Sequence, residues 1–344
     1  MENKETPANR TAAQSAPAPS IRTRKEQFGT IEYDLIKDTF SLKSSWPLDG
    51  LEHQELSAPL TMHWITTMKC NARCPYCYEL DFLLKKTDKE EILSKESCTQ
   101  FIGNYAAAGG FRLYLTGGEP TLHPFLAHIL KTASEHDVAT VINTNGIEMP
   151  SDIYDALKVY HGRLSVSLDS DVKEVHDQTR KQRSYDNIIT LISRASQDRI
   201  PVRVISVLTD KTIKGVESMG RYLQDLGAQS WFLQPLTAEY AASKTPGVPA
   251  DAGIASSSQL ERRLQEALPA LRVRVLPAIY DSFMYILPDG SVGKSIWTPQ
   301  KQVYGNVAHD DIKSIWQKNP ARYVGDHLGI LHVFDAPSRG LRRS

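Results

Sequence analysis

The run Cys70-Asn71-Ala72-Arg73-Cys74-Pro75-Tyr76-Cys77 places three thiols within eight residues, while the fourth cysteine of the chain, Cys98, stands apart. Thiolates are soft ligands suited to iron–sulfur clusters and to zinc. Three of them on a cubane cluster leave one iron without a protein ligand, open to an exogenous chelating molecule. A structural zinc site takes four nitrogen or sulfur ligands, and the nearest residue able to complete one is His63 in the preceding apolar run. Both chemistries fit the cysteines taken alone. Three further segments carry polar groups beside flexible backbone or strand ends: Thr116-Gly117-Gly118-Glu119-Pro120, Asn143-Thr144-Asn145-Gly146 and Ser165-Val166-Ser167-Leu168-Asp169. Glycines belong where another group must approach the backbone, and Asn145 and Asp169 are equally suited to capping helices.

These residues gain meaning from the elements between them. Short β-rich runs recur at Met62 to Thr66, Phe111 to Leu115, Val138 to Ile142, Leu164 to Leu168, Val202 to Leu208 and Ser230 to Leu233. Helical periodicity separates them, as in Phe125 to Leu130, Ile188 to Ile192 and Met219 to Leu226. Six β/α units of this kind predict a parallel sheet with helical crossovers, either doubly wound or curved into a partial barrel. In either form chemistry belongs at the carboxyl ends of the strands, which is where the cysteine loop and all three polar segments fall.

The rest of the chain is read by composition. Residues 1–24 are rich in Ala, Pro, Ser, Thr and charge and are expected to be a disordered tail. Residues 25–59 contain an alternating segment, Phe28 to Asp34, with Phe40-Ser41-Leu42 as its return, and predict a small hairpin. The core spans 60–236, a Ser/Ala/Pro-rich linker 237–258, and a small α+β extension 259–344 with a strand–turn–strand at Tyr285 to Val292. With 40 basic against 40 acidic residues the chain lacks the footprint of a nonspecific nucleic-acid binder, and no run approaches the ~18 apolar residues of a membrane span. No secretory signal is apparent and four cysteines do not make a disulfide scaffold, so a cytoplasmic protein is expected.

The spacing Cys70-x3-Cys74-x2-Cys77 with Tyr76 before the last thiol resembles the signature of the radical SAM superfamily. The resemblance runs from about residue 60 to 236 and implies a partial (β/α)6 TIM-like barrel, one 4Fe-4S cluster on Cys70, Cys74 and Cys77, and S-adenosylmethionine on its open iron. It further implies that Tyr76 meets the adenine end of the cosubstrate and that Gly118 and Glu119 receive its ammonium. The segments ending in Asn145, Ser167 and Asp169, with His176-Asp177-x-x-Arg180 beyond, resemble the branch holding the molybdenum-cofactor cyclase and the SPASM enzymes. They add Asn145, Ser167 and Asp169 to the cosubstrate site, with Val204, Ile205, Val207, Leu233 and Gln234 as adenine contacts. An electron donor such as flavodoxin or ferredoxin is implied as a partner, beside a small-molecule substrate.

The extension resembles a SPASM or twitch cap whose auxiliary-cluster cysteines are missing: no Cys follows position 98, and Lys294 and Ser295 stand where one is expected. A single cluster without an internal electron acceptor favours redox-neutral outcomes: elimination, rearrangement, decarboxylation or epimerisation. Cys98 is the one thiol left to donate a hydrogen atom, but its place in an apolar helical run suits a small buried hydrophobe better. His123 is expected to brace the Gly-Gly-Glu-Pro loop, and Arg203 to reach an anionic group or form an ion pair. A peptide substrate is the alternative, against which the first 60 residues are short for a leader-binding module.

Overall fold

A computed structural model describes residues 21–77, 91–209, 211–235, 257–276, 284–293, 302–328 and 330–335. The chain opens with a meander, β1 (Ile21–Glu26), β2 (Gly29–Asp34) and β3 (Thr39–Ser44), each strand antiparallel to the next. Ile31 and Tyr33 on β2 and Phe40 and Leu42 on β3 turn inward at the two-residue period of a half-buried sheet. The stretch read as a disordered tail is therefore too long. Residues 21–24 form most of β1, where Arg24 is buried against Glu26 and donates to the Gly109 carbonyl 85 positions away, a contact that composition cannot show.

After α1 (Leu48–Leu51) the six expected units follow in order: β4 (Thr61–Thr67), α2 (Lys95–Ala107), β5 (Arg112–Gly117), α3 (Leu126–Glu135), β6 (Ala139–Thr144), α4 (Ser151–Val159), β7 (Arg163–Ser167), α5 (Lys173–Arg180), α6 (Tyr185–Gln197), β8 (Val202–Leu208), α7 (Val216–Asp225) and β9 (Ser230–Pro235). Then come α8 (Ser257–Ala267), β10 (Arg272–Val275), β11 (Met284–Ile286), β12 (Ser291–Gly293), β13 (Val303–Asn306), α9 (Ile312–Gln317) and β14 (Leu331–Asp335).

The main sheet has the order β10-β9-β8-β7-β6-β5-β4-β11-β12-β13. β4 to β9 pair in parallel in chain order, the partial barrel expected from six β/α units. The C-terminal extension is not a separate layer. Its β10 adds in parallel to β9 and its β11 in parallel to β4, so both flanks of the six-stranded core are covered by later chain. β14 returns to the N-terminal meander and pairs in parallel with β3. The expected strand–turn–strand is β11–β12, while residues 236–256, nearly all of the expected linker, and Lys294 and Ser295 lie outside the described residues. Trp64, Phe101 and Tyr105 pack the outer face of the sheet against α2, with Trp64 meeting Phe101 edge-on at 5.2 Å.

Because the strands are parallel, all their amino ends open on one side, and the meander closes that side. Asp38, in the β2–β3 turn, is buried between Arg112 at the start of β5 and Arg203 near the start of β8, with Arg203 Nη2 2.6 Å from its carboxylate. The Tyr33 hydroxyl donates to the same carboxylate at 2.7 Å. Arg163, first in β7, donates to the Ile36 carbonyl at 2.9 Å, and Arg272, first in β10, to that of Lys37 at 3.2 Å. Arg203 thus sits at the end of the barrel opposite the cysteine loop. Of the two roles expected of Arg203, the structure shows the ion pair and not the reach toward an anionic ligand, because its position near the strand's start turns it to the closed floor.

Candidate active site

The cysteine loop leaves β4 at Thr67 and lies at the carboxyl edge, with Cys70, Cys74 and Cys77 all partly accessible. The Cys77 amide donates to the Cys74 carbonyl at 3.0 Å, closing a tight turn through Pro75 and Tyr76. The sulfurs sit among donors. Cys70 Sγ accepts from the Ala72 amide at 3.4 Å and from Asn145 Nδ2 at 3.8 Å, and Cys74 Sγ from Arg180 Nη1 at 3.9 Å. Asn145 also donates to Asn71 Oδ1 at 2.8 Å, so the β6 loop holds the cysteine loop directly.

The Gly-Gly-Glu-Pro segment follows β5. A Cβ on Gly117 would stand 2.3 Å from the Thr67 carbonyl oxygen, and one on Gly118 would stand 2.2 Å from that of Lys69. Both glycines are needed because the chain's own backbone at 67–69 passes over them, which brings the cysteine loop down onto the β5 edge. The amides of Gly118 and Glu119 donate back to Thr67 and Lys69, each at 2.7 Å.

Glu119 is buried and heavily engaged. Its carboxylate accepts from the Thr121 amide and hydroxyl at 3.2 and 2.9 Å, from the Thr144 hydroxyl at 2.8 Å and from the Asn145 amide at 2.7 Å. Four donors fill the usual acceptor sites of a carboxylate. Burial still pushes its carboxyl above the ordinary range. In this arrangement Glu119 ties the β5 loop to the β6 loop, and Thr121 and Thr144 are the partners that the sequence reading overlooked. We expect Glu119→Ala to cost about 1–3 kcal/mol in a denaturant titration by stranding these donors. Glu119→Gln should cost less, since it keeps an acceptor for three of the four bonds. His123, also buried, accepts from the Phe125 amide at 3.2 Å through Nδ1 and so orders the entry to α3.

Asp169, just beyond β7, is the centre of the last group. It accepts from the Tyr76 hydroxyl, from Arg180 Nε at 2.9 Å and from the Val207 amide at 2.9 Å. Burial alone would raise this carboxyl, but Arg180, His176 and the hydrogen bonds from the Tyr76 hydroxyl and the Val207 amide together outweigh it and hold it below the usual range. His176 Nδ1 accepts from the Asp169 amide at 3.1 Å, and Asp177 accepts from the amides of Ser184 and Tyr185 at 3.0 and 3.1 Å, ordering the start of α6. The His-Asp-x-x-Arg segment therefore has one task per residue. Ser167 ends β7, half-buried and level with Ile205 on β8. Cys70, Cys74, Cys77, Tyr76, Gly118, Glu119, Asn145, Ser167 and Asp169 are all brought to one edge.

His63 lies elsewhere, midway along β4, stacked between Tyr114 at 4.7 Å and Tyr285 at 5.3 Å. Burial, with Arg112 and Arg203 nearby, lowers it to about 3, so it is a neutral imidazole in the barrel interior. Cys98 is buried in α2 with its thiol pushed up to about 12 by burial.

A partial parallel barrel with three thiols in the loop after its first core strand, faced by ordered loops from the next three, defines the radical SAM class of fold. Residues 64–223 match the radical SAM superfamily, and the chain contains a radical SAM domain. It is 25% identical over 240 residues to the mycofactocin maturase MftC of Mycobacterium tuberculosis, covering 69% of this chain and 58% of that protein. It is 31% identical over 173 residues to a probable GTP 3',8-cyclase of Methanopyrus kandleri, covering 49% of this chain and 55% of that one. The chain thus spans little more than half the length of these relatives. In fold it is similar to Streptococcus suis SuiB bound to S-adenosylmethionine, with a TM-score of 0.70 at 15% identity over 89% of this chain and 88% of that one. SuiB bound to its precursor peptide SuiA superposes with a TM-score of 0.61 at 17% identity, over 78% and 66%.

The cofactors of such a domain are a 4Fe-4S cluster and S-adenosylmethionine, and the residues present fit both. Two of the three thiols are supplied with donors, Cys70 with N–H groups and Cys74 with a guanidinium, the environment that stabilises thiolates on iron. Asn71 Nδ2, Asn143 Oδ1 and Ser165 Oγ are buried polar atoms without a protein partner among the described residues. Asn143 and Ser165 stand opposite each other in the β6–β7 register. Such atoms in a native site await a ligand or water.

Proposed function

We propose that this protein is a radical SAM enzyme that abstracts a hydrogen atom from a polar small molecule, a sugar, nucleoside or amino-acid derivative, in a redox-neutral step of specialised biosynthesis. The observation that carries the reading is the loop of Cys70, Cys74 and Cys77 at the carboxyl edge of an open parallel barrel, with Asn145 beside Cys70 and Arg180 beside Cys74. When bound, the reduced cluster supplies one electron to the sulfonium of S-adenosylmethionine and yields the 5′-deoxyadenosyl radical.

The chain's own part is to hold and enclose. Cys70, Cys74 and Cys77 bind three irons, and Tyr76, Gly118, Glu119, Asn145, Ser167 and Asp169 shape the cosubstrate's place. The meander closes the amino end, so substrate enters from the carboxyl edge above an interior lined by Tyr114, Tyr285 and neutral His63. Lyase or isomerase outcomes fit a chain with no cysteine after Cys98 to hold a second cluster as electron acceptor. A flavodoxin- or ferredoxin-type donor and a cytoplasmic setting complete the reading; among the described residues no helix is long and apolar enough to cross a membrane.

The peptide-maturase reading is supported by the MftC relative and by a fold shared with SuiB, which was seen with a precursor peptide. One experiment separates the two. The anaerobically reconstituted protein is incubated with deuterated small-molecule and peptide pools, and deuterium in 5′-deoxyadenosine is followed by mass spectrometry. Transfer from peptides alone would overturn the small-molecule reading. The same preparation should hold about four irons per chain, and close to twice that content would refute a single cluster.

A further inference from the structure

Arg180 is a buried guanidinium with both an anion and a cluster-loop sulfur as partners. It is the last residue of α5, 6% exposed, and the left-handed Lys181 that follows (φ 52°) ends the helix there. Its Nε and Nη2 meet the two oxygens of Asp169 at 2.9 and 3.4 Å. A guanidinium gripped by this fork cannot rotate, and the nitrogen left over, Nη1, reaches Cys74 Sγ at 3.9 Å. The same plane lies 5.7 Å over the Tyr76 ring, so the cation is fenced on three sides by the motif. Asp169 is fixed in turn by the Val207 amide and the Tyr76 hydroxyl.

We propose that Arg180 is a positioning residue that sets the reduction potential of the cluster, with Asp169 as its counterweight. This rests on the function proposed above. Adding one electron from a low-potential donor makes the cluster one unit more negative. A buried cation donating to one of its thiolates stabilises that reduced form, and a buried carboxylate one residue further out opposes it. The two charges are buried and act at short range, where screening is weak.

The test is a potentiometric titration of the reconstituted full chain followed by electron paramagnetic resonance, without cosubstrate or substrate, for wild type, Arg180→Gln, Arg180→Lys and Asp169→Asn. Arg180→Gln should lower the reduced fraction at a fixed potential tenfold or more, a midpoint about 59 mV lower for a one-electron couple. Arg180→Lys, which keeps the charge, should recover part of that loss. Asp169→Asn should move the midpoint the opposite way. Opposite signs are the signature of charge; a purely structural role would move both variants alike or only lower iron content. Iron-loaded Arg180→Gln with an unchanged midpoint overturns the proposal. If Arg180→Gln takes up no iron, a midpoint for Asp169→Asn at or below wild type overturns it equally. A wild-type chain that assembles no cluster overturns the proposed function and this inference together.

Discussion

Replacing Cys70, Cys74 or Cys77 by Ala is expected to abolish cluster assembly and 5′-deoxyadenosine formation together. In the proposed site each of the three thiolates would hold one iron of the cluster, so the loss of any one would leave no spare ligand in the motif. Cys98 cannot stand in: it is buried in α2, its Sγ 3.9 Å from the Leu93 carbonyl, while the motif cysteines are partly accessible. The loss should be specific to the site. The three motif cysteines lie outside the apolar core, so each variant should unfold within about 1 kcal/mol of the metal-free wild type. Cys98→Ala should do the reverse, keeping its iron while losing about 1 kcal/mol to a small cavity in α2. Iron analysis, the visible absorption of the reconstituted protein and urea titrations of the metal-free forms measure all of this. A motif variant that retains both iron and cosubstrate cleavage would remove the site assignment.

The barrel was legible because its signals are local. β4 to β9 are short β-branched or aromatic runs separated by amphipathic helices, and each expected strand lies within two residues of the observed one. The cysteine loop, the glycines and the Asn145, Ser167 and Asp169 segments were legible for the same reason: they follow strands, and parallel strands bring their carboxyl ends together. What escaped depends on contacts between distant residues. Nothing near Arg203 indicates that its partner is Asp38, separated from it by 165 positions. β10 and β11 are three or four residues long and join the flanks of a sheet finished much earlier in the chain. The resemblance of the Gly-Gly-Glu-Pro segment gives Glu119 a cosubstrate contact, but it does not show the loop contacts that Glu119 also makes. Its observed partners, Thr121 and Thr144, carry no signal beyond being polar.

Asp38→Asn should be the most destabilising single substitution outside the apolar core. The carboxylate is 7% exposed and closes the amino end of the barrel by pairing with Arg112 and Arg203 while accepting from Tyr33. Breaking a buried ion pair from one side leaves the other charge uncompensated, typically at a cost of about 3–5 kcal/mol. Here two guanidinium groups would be stranded. Glu32→Gln, which removes an equal charge from the exposed Lys43 pair on β2, should change stability by no more than about 1 kcal/mol.

Acid provides the second measurement. Burial pushes the Asp38 carboxyl up, but Arg112, then Arg203 and Arg163, outweigh it and hold the folded carboxyl well below the unfolded value of about 3.9. A depressed folded pKa gives stability that is complete above the unfolded value and is lost as the pH falls toward the folded one. The gap in stability between wild type and Asp38→Asn should therefore be constant near neutrality and shrink below about pH 4. A gap that is unchanged at pH 3, or that widens there, would show that Asp38 does not owe its contribution to its charge. The cluster loops lie at the opposite ends of the same strands, so the folded fraction of Asp38→Asn should still bind iron at wild-type stoichiometry. Stability and cofactor binding are in this way assigned to the two ends of one sheet, and a variant that lost iron in proportion to nothing but its Asp38 charge would break that division.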